Sequence, residues 1–523
     1  MGGRAGERIR GHRQEGLRPG SGLVELSATD ASFLLQERGG AHMHIGGVLV
    51  FEGPAPHHHE LAEHLERRLE LVPRFRQRLA VPPFGVWRPF WVEDPDFELD
   101  YHLRRAALPS PGGERQLAQL VAWLFSKRLD RGRPLWEMYV VEGLQGDRFA
   151  LITKAHHALV DGLAIVDLAS VILDVTPSSP DIAPDPAAGV SRFIAPARRS
   201  PSPEPGPMPS RAQLLAAGLL DAARGPAALA RLLIRGGLFY PRQLLGELAR
   251  LGGSLGEIGW ELLNPAPRVP LNGPIGEHRR YELRRVGLEE VRAIKLRYEA
   301  TVNDVVLAVA TGALRRWLLS RGVRTRGLEL RALVPVNLRT DDERGVLGNR
   351  VALLRAPLPV YASDPVRRLE RVRDAMRELK RSRQLAAAQT IIGLSDFAPP
   401  TILAQASRLN FSPRLFNLII TNVPGPQFPL YLLGRRLKTV APVAFLPEGH
   451  GLSIAVFSYD GQLTFGLLGD YDRMDDLDLL ATGISESLQE LCAAAGVGAG
   501  VAGSTREGEG SASSARKRIG AAR

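Results

Sequence analysis

A chain of 523 residues with 44% hydrophobic content is too long for one ordinary core and apolar enough to fill two. Its 67 Lys and Arg against 56 Asp and Glu leave a net charge of +11, which can draw anionic lipid or a phosphate-bearing cofactor but follows equally from an Arg-favouring composition. No basic run is interleaved with aromatics, which argues against nucleic acid, and the single cysteine, Cys492, excludes a disulfide framework and a thiolate metal site and fits a cytoplasmic protein.

Residues 1–22 are Gly- and Arg-rich and are expected to be a disordered arm. No apolar run follows their arginines, so a secretory signal is not expected, and no stretch of the chain reaches the ~20 apolar residues that span a bilayer. A first domain is expected over 23–176, with a strand over Met43 to Phe51. His57-His58-His59-Glu60 opens an amphipathic helix carrying Leu61, Leu65 and Leu69; consecutive histidines on a helix diverge, so a solvated helix start is favoured over a metal site. A helix is expected over Glu114 to Leu129, closed by the turn-like Asp130 to Pro134, then a strand over Met138 to Gly143.

Residues 177–269 form a Pro-rich crossover followed, over Gln213 to Leu263, by Leu-rich helical spacing interspersed with arginines. That segment can lie on an anionic lipid surface or pack as a helical lid on the second domain. A second domain is expected over 270–495. Its helices are placed at Val286 to Tyr298, Val302 to Leu319, Pro365 to Lys380 and Leu477 to Ala494. Its strands are placed at Arg331 to Asn337, Val351 to Leu358 and Leu418 to Asn422, with a hairpin around Asp460-Gly461. The Gly/Ser/Arg-rich tail, 496–523, is expected to be disordered. Strands and helices alternate on both sides of the crossover, which reads as two α/β layers.

The chemistry concentrates in Lys154-Ala155-His156-His157-Ala158-Leu159-Val160-Asp161-Gly162. Arg148 to Ala155 reads as a strand whose alternation sends His156 and His157 to opposite faces, and Asp161 is a plausible N-cap for a following helix. An imidazole delivered at a strand end can take a proton from a hydroxyl near neutral pH, so His157 is the candidate general base. Asp161 more naturally braces the loop, and Gly162 permits a tight turn. No GxSxG elbow is present, which disfavours covalent catalysis through a serine nucleophile.

The His156 to Gly162 stretch resembles the HHxxxDG motif of acyltransferases, and the chain is similar to bacterial wax ester synthase/diacylglycerol acyltransferases. The similarity extends to Leu26 to Ala31, Met43 to Gly47, Arg133-Pro134-Leu135-Trp136, Pro270 to Gly276, Thr301 to Val306, Val334 to Arg339, Gly348 to Arg350 and Asn422 to Pro426. It implies two chloramphenicol acetyltransferase-like domains, each a mixed sheet flanked by helices, with the active-site channel between them. It also implies transfer of a long-chain acyl group from acyl-CoA to diacylglycerol or a fatty alcohol. His157 would act as base, supported by His156, Asp161 and Gly162, with no metal and no cofactor beyond acyl-CoA as co-substrate.

On the same resemblance Pro134, Leu135 and Trp136 border the substrate channel, although a core Trp is as natural a reading. Asn303 and Asp304 offer oxyanion or loop support, with helix capping the simpler role, and Arg339 is a candidate partner for Asp161. The protein would work in the cytoplasm, or peripherally on the inner membrane face or on lipid inclusions. The alternatives are a same-fold acyltransferase with another thioester donor or acceptor, a non-enzymatic lipid-binding protein, and a carboxylester hydrolase.

Overall fold

The computed structural model describes residues 23–159, 172–177, 208–222, 264–337, 351–381 and 400–497. Two six-stranded sheets form the frame. Its strands run β1 Val24–Glu25, β2 His44–Glu52, β3 Gln77–Ala80, β4 Phe90–Glu93, β5 Leu103–Ala107, β6 Trp136–Leu144, β7 Arg148–His156, β8 Arg279–Gly287, β9 Leu330–Asn337, β10 Val351–Leu358, β11 Leu418–Pro424, β12 Tyr431–Leu432, β13 Arg435–Val443, β14 Leu452–Tyr459 and β15 Gln462–Asp470.

The first sheet has the order β12-β13-β2-β7-β6-β5 and the second β10-β9-β11-β14-β15-β8, with β1, β4 and β3 in a small third sheet. Both large sheets are mixed: β5 pairs parallel with β6, and β11 pairs parallel with β9 and β14, while the other pairs are antiparallel. This is the two-sheet α/β architecture expected from the sequence. The expected boundary at 270 divides the chain without dividing the sheets, because β12 and β13, from the second half, complete the first sheet against β2.

Strand β7 explains the central position of the motif. Its run Phe149-Ala150-Leu151-Ile152 is apolar on successive residues, and a strand of that kind is stable only when both faces are covered. Phe149 and Leu151 enter one core with Leu26, Leu61, Leu65 and Trp136, whereas Ala150 and Ile152 enter another with Val121, Leu124 and Phe125. That second core lies between the two sheets, since Tyr281, Leu333, Ile419 and Leu468 of the second sheet also belong to it. The far face of the second sheet packs against the helices Val302–Ser320 and Leu477–Ala495.

The first helices are α1 Ala28–Gln36, α2 His58–Leu69, α3 Leu99–His102 and α4 Glu114–Phe125. Helix α1 starts at Ser27, whose hydroxyl accepts the Asp30 amide at 3.1 Å. At α2 the His57 N–H donates to the Glu60 carboxylate at 2.9 Å, so the histidine run is a capped helix start. Helix α4 ends four residues earlier than its sequence pattern suggests. The cause is Lys154: its buried Nζ donates to the carbonyls of Leu124 at 2.9 Å and Lys127 at 2.5 Å, satisfying the helix C-terminus from the neighbouring strand. Of the Leu-rich segment after the crossover only residues 213–222 are described; they are helical and pack Leu214 and Ala217 on Trp87 and Phe90 of the first half, not on the second domain.

Candidate active site

Strand β7 ends at His156, so alternation does not carry through to the second histidine. Two backbone bonds hold the end of the strand. The His156 N–H donates to Leu135 O at 2.9 Å, and the His157 N–H donates to Met43 O at 2.8 Å. The turn then closes with Leu159 N–H on His156 O at 2.9 Å. Glycine is needed on the facing strand, because a Cβ at Gly46 would overlap the Thr153 carbonyl opposite.

The two imidazoles face different surroundings. His156 is buried, and its Nδ1 accepts the Ala158 N–H at 3.0 Å, which places its proton on Nε2. That Nε2 lies 3.8 Å from Glu37 Oε2, and His44 Nε2 lies 3.3 Å from Glu37 Oε1. Arg131 donates to the same carboxylate through Nε at 3.1 Å and Nη2 at 2.6 Å.

Burial alone would raise the Glu37 carboxyl; the adjoining His44 and His156 and the hydrogen bonds from Arg131 outweigh it and hold it well below the usual carboxylate range. Burial pushes His44 well below its ordinary value and His156 down to about 3, so both rings are neutral beside an ionised Glu37 at neutral pH. Farther along, burial and the nearby Arg279 guanidinium lower His42 to about 4, and Lys154, whose desolvation outweighs the attraction of Glu137 and Glu37, falls to about 8.

His157 points into an aromatic surround. Its ring stacks on Phe33 at 3.8 Å between centroids and 16° between planes, and meets Phe445 edge to face at 5.4 Å and 87°. Nδ1 is buried with no hydrogen bond of normal geometry. Burial lowers this imidazole to about 4, with its own backbone carbonyl opposing the shift, so it is a neutral base at physiological pH.

The other sequence-predicted residues fall in three groups. Pro134, Leu135 and Trp136 are buried beside the motif: the Leu135 carbonyl holds His156, while Trp136 donates Nε1 to Phe75 O at 2.8 Å and stacks on His102 at 4.6 Å. Trp136 thus sits as a satisfied core residue. Asp304 closes a capping box with Thr301, accepting its N–H at 2.8 Å, and Asn303 lies half-buried in the same first turn with no described hydrogen bond to His157. Asp161, Gly162 and Arg339 lie outside the described residues.

Sequence reasoning missed Glu37, His44, Phe33, Phe411 and Phe445. His44 stood inside the noted Met43 to Gly47 block, which was the available signal; its place opposite His156 comes from the pairing of β2 with β7. Contacts from Phe411 and Phe445 depend on chain crossings that no local pattern announces.

A model of the wax ester synthase/diacylglycerol acyltransferase catalytic domain matches residues 26–306, and one of the C-terminal domain of the same family matches residues 347–492. A probable diacylglycerol O-acyltransferase of Mycobacterium tuberculosis, tgs1, is 35% identical over 475 residues, covering 90% of this chain and 96% of that protein. The structure of a wax ester synthase/diacylglycerol acyltransferase from Marinobacter aquaeolei VT8 aligns with a TM-score of 0.61 at 30% identity, over 90% of this chain and 100% of that one. The first condensation domain of the CDA synthetase shares the fold, with a TM-score of 0.52 at 19% identity over 93% of this chain and 98% of that one. With both family models matched and the relatives aligned over nearly their whole lengths, the chain belongs to the wax ester synthase/diacylglycerol acyltransferase family.

Proposed function

We propose that the chain moves a long-chain acyl group from acyl-CoA to diacylglycerol or a fatty alcohol, giving triacylglycerol or a wax ester, with His157 as general base. The observation that carries this reading is the neutral His157 imidazole, held by Met43 at the end of a central strand and enclosed by apolar rings. The names of the relatives, diacylglycerol O-acyltransferase and wax ester synthase, support the substrate class.

In this reading His157 Nε2 takes the proton of the acceptor hydroxyl as its oxygen attacks the thioester carbonyl. The tetrahedral oxyanion collapses with cleavage of the C–S bond, and the imidazolium returns the proton to the CoA thiolate. Candidate oxyanion donors are the Asn303 amide and a backbone N–H near Gly162, and Asp161 would brace the motif with Arg339 as its candidate partner. Transfer is direct. The lone thiol, Cys492, is buried in the last helix and pushed up by that burial, which does not suit a nucleophile.

No described helix is long and apolar enough to cross a membrane, so the lipid acceptor would be met at a surface: the membrane's inner face or a lipid inclusion. The test is release of CoA thiol from palmitoyl-CoA by the purified protein with hexadecanol, with dioleoylglycerol and with neither. Acceptor-dependent release is expected. Absence of any acceptor dependence would refute the reading, and a preference for an acyl-carrier thioester would redirect it to another donor.

A further inference from the structure

A water molecule and a lipid alcohol present the same hydroxyl to a histidine base, so the imidazole itself cannot choose between ester synthesis and thioester hydrolysis. The choice has to come from what surrounds the ring. Around His157 the surround is aromatic and is assembled from three distant parts of the chain. Phe33 comes from α1, Phe411 follows the helix Pro400–Asn410, and Phe445 follows β13.

The three rings touch one another; Phe33 and Phe445 meet the base, and Phe411 packs behind them. Phe33 and Phe445 lie 6.0 Å apart at 78°, Phe33 and Phe411 6.3 Å apart at 62°, and Phe411 and Phe445 6.0 Å apart at 57°. Phe416 backs Phe411 at 6.2 Å. The stacked Phe33 ring, 3.8 Å from the imidazole, leaves no room for water on that face, and the perpendicular Phe445 ring closes against it at 5.4 Å. None of these rings has a polar atom that would hold a water in place.

We infer that Phe33, Phe411 and Phe445 form a dry aromatic wall on His157 that sets the ratio of ester formation to thioester hydrolysis. The wall admits a hydroxyl carried on an apolar tail, which replaces water contacts with ring contacts as it arrives, and disfavours a free water, which would lose hydrogen bonds there and gain none. In the competing reaction a water oxygen attacks the same carbonyl, the C–S bond breaks, a free fatty acid forms, and the proton travels through His157 to the CoA thiolate as before. This inference rests on the His157 mechanism proposed above.

The experiment follows CoA release from palmitoyl-CoA with dioleoylglycerol in the full chain and divides the acyl product into triacylglycerol and free palmitate. Phe33→Ala and Phe445→Ala are expected to raise the palmitate-to-triacylglycerol ratio about tenfold or more, the range in which apolar pockets discriminate. Phe33→Leu and Phe445→Leu, which keep an apolar side chain and are the gentler test of the fold, should give a smaller rise in the same direction. An unchanged ratio in Leu and Ala variants that melt like the wild type would overturn the wall, whatever happens to the rate. His157→Ala run alongside keeps the two ideas apart: it should abolish both products together, and if it spared both, the base assignment would fail independently of the ratio.

Discussion

The backbone N–H of His157 donates to the carbonyl of Met43 at 2.8 Å, which carries the β2–β7 ladder one step past the last residue of the strand. That bond fixes where the base sits. Everything else about the ring, from the stacked Phe33 to the buried Nδ1, depends on this position.

Replacing His157 by Ala should lower kcat by about 10²–10⁴, the usual contribution of a positioned general base. Palmitoyl-CoA affinity should change little, and the melting temperature should stay near the wild type, because the Met43 bond uses the backbone. Steady-state CoA release with dioleoylglycerol measures the first, equilibrium binding the second and calorimetry the third; a fall in kcat of less than threefold would contradict the role.

The pH profile should be displaced to the acid side. A base must be neutral to accept a proton, so activity is lost as pH falls through the imidazole's own value, about 4 for His157. An unperturbed histidine at ~6.5 would lose roughly three-quarters of its neutral form by pH 6. Hence kcat/KM at pH 6 should remain close to its value at pH 8. A profile that halves near pH 6.5 would show that the ring is solvated during turnover.

Stability should fall with pH sooner than activity. His42 and His156 are buried and neutral in the fold, lowered to about 4 and about 3, and they take up protons near ~6.5 once unfolded. Between those limits the unfolded state binds more protons, so folding stability is lost as pH drops. The slope is about 1.4 kcal/mol per pH unit for each histidine. Urea unfolding at pH 7.5 and 5 should therefore differ by several kcal/mol, and His42→Gln should show a shallower dependence than the wild type.

Glu37→Gln should separate positioning from chemistry. The substitution removes the carboxylate shared by His44, His156 and Arg131, and breaking a buried charged group in this way costs about 3 kcal/mol or more. If the cluster positions the motif, kcat should also fall, by about 10²-fold at most, with KM for palmitoyl-CoA little changed. A variant that loses stability and keeps full kcat would make the cluster structural alone.

Trp136→Ala should cost about 3–5 kcal/mol, since it opens a large cavity and strands the Phe75 carbonyl; Trp136→Phe should cost less while keeping the ring stacked on His102. If the indole also borders the acyl chain, the Phe variant should shift preference between C12 and C18 acyl-CoA. An unshifted preference would leave Trp136 with the core role that its enclosure already describes.

What the sequence determined by itself was everything whose cause is local. The apolar run of β7, the helix start at His57, the capping box of Thr301 and Asp304, and the Asp460-Gly461 hairpin each follow from neighbours within a few residues, and each is found in the structure. The motif likewise pointed to His157 as the base, because both histidines and the turn that follows them lie within one short stretch. What only the tertiary structure decided is what meets those elements. Lys154 ends α4 from another strand, β12 and β13 cross over to complete the first sheet, and Glu37, Phe33 and Phe445 reach the two histidines from as far as 288 positions away in the chain (445 − 157). Periodicity tells which face of an element is buried. It does not tell against what, because that partner is set by the packing of whole sheets and not by the order of residues along any one of them.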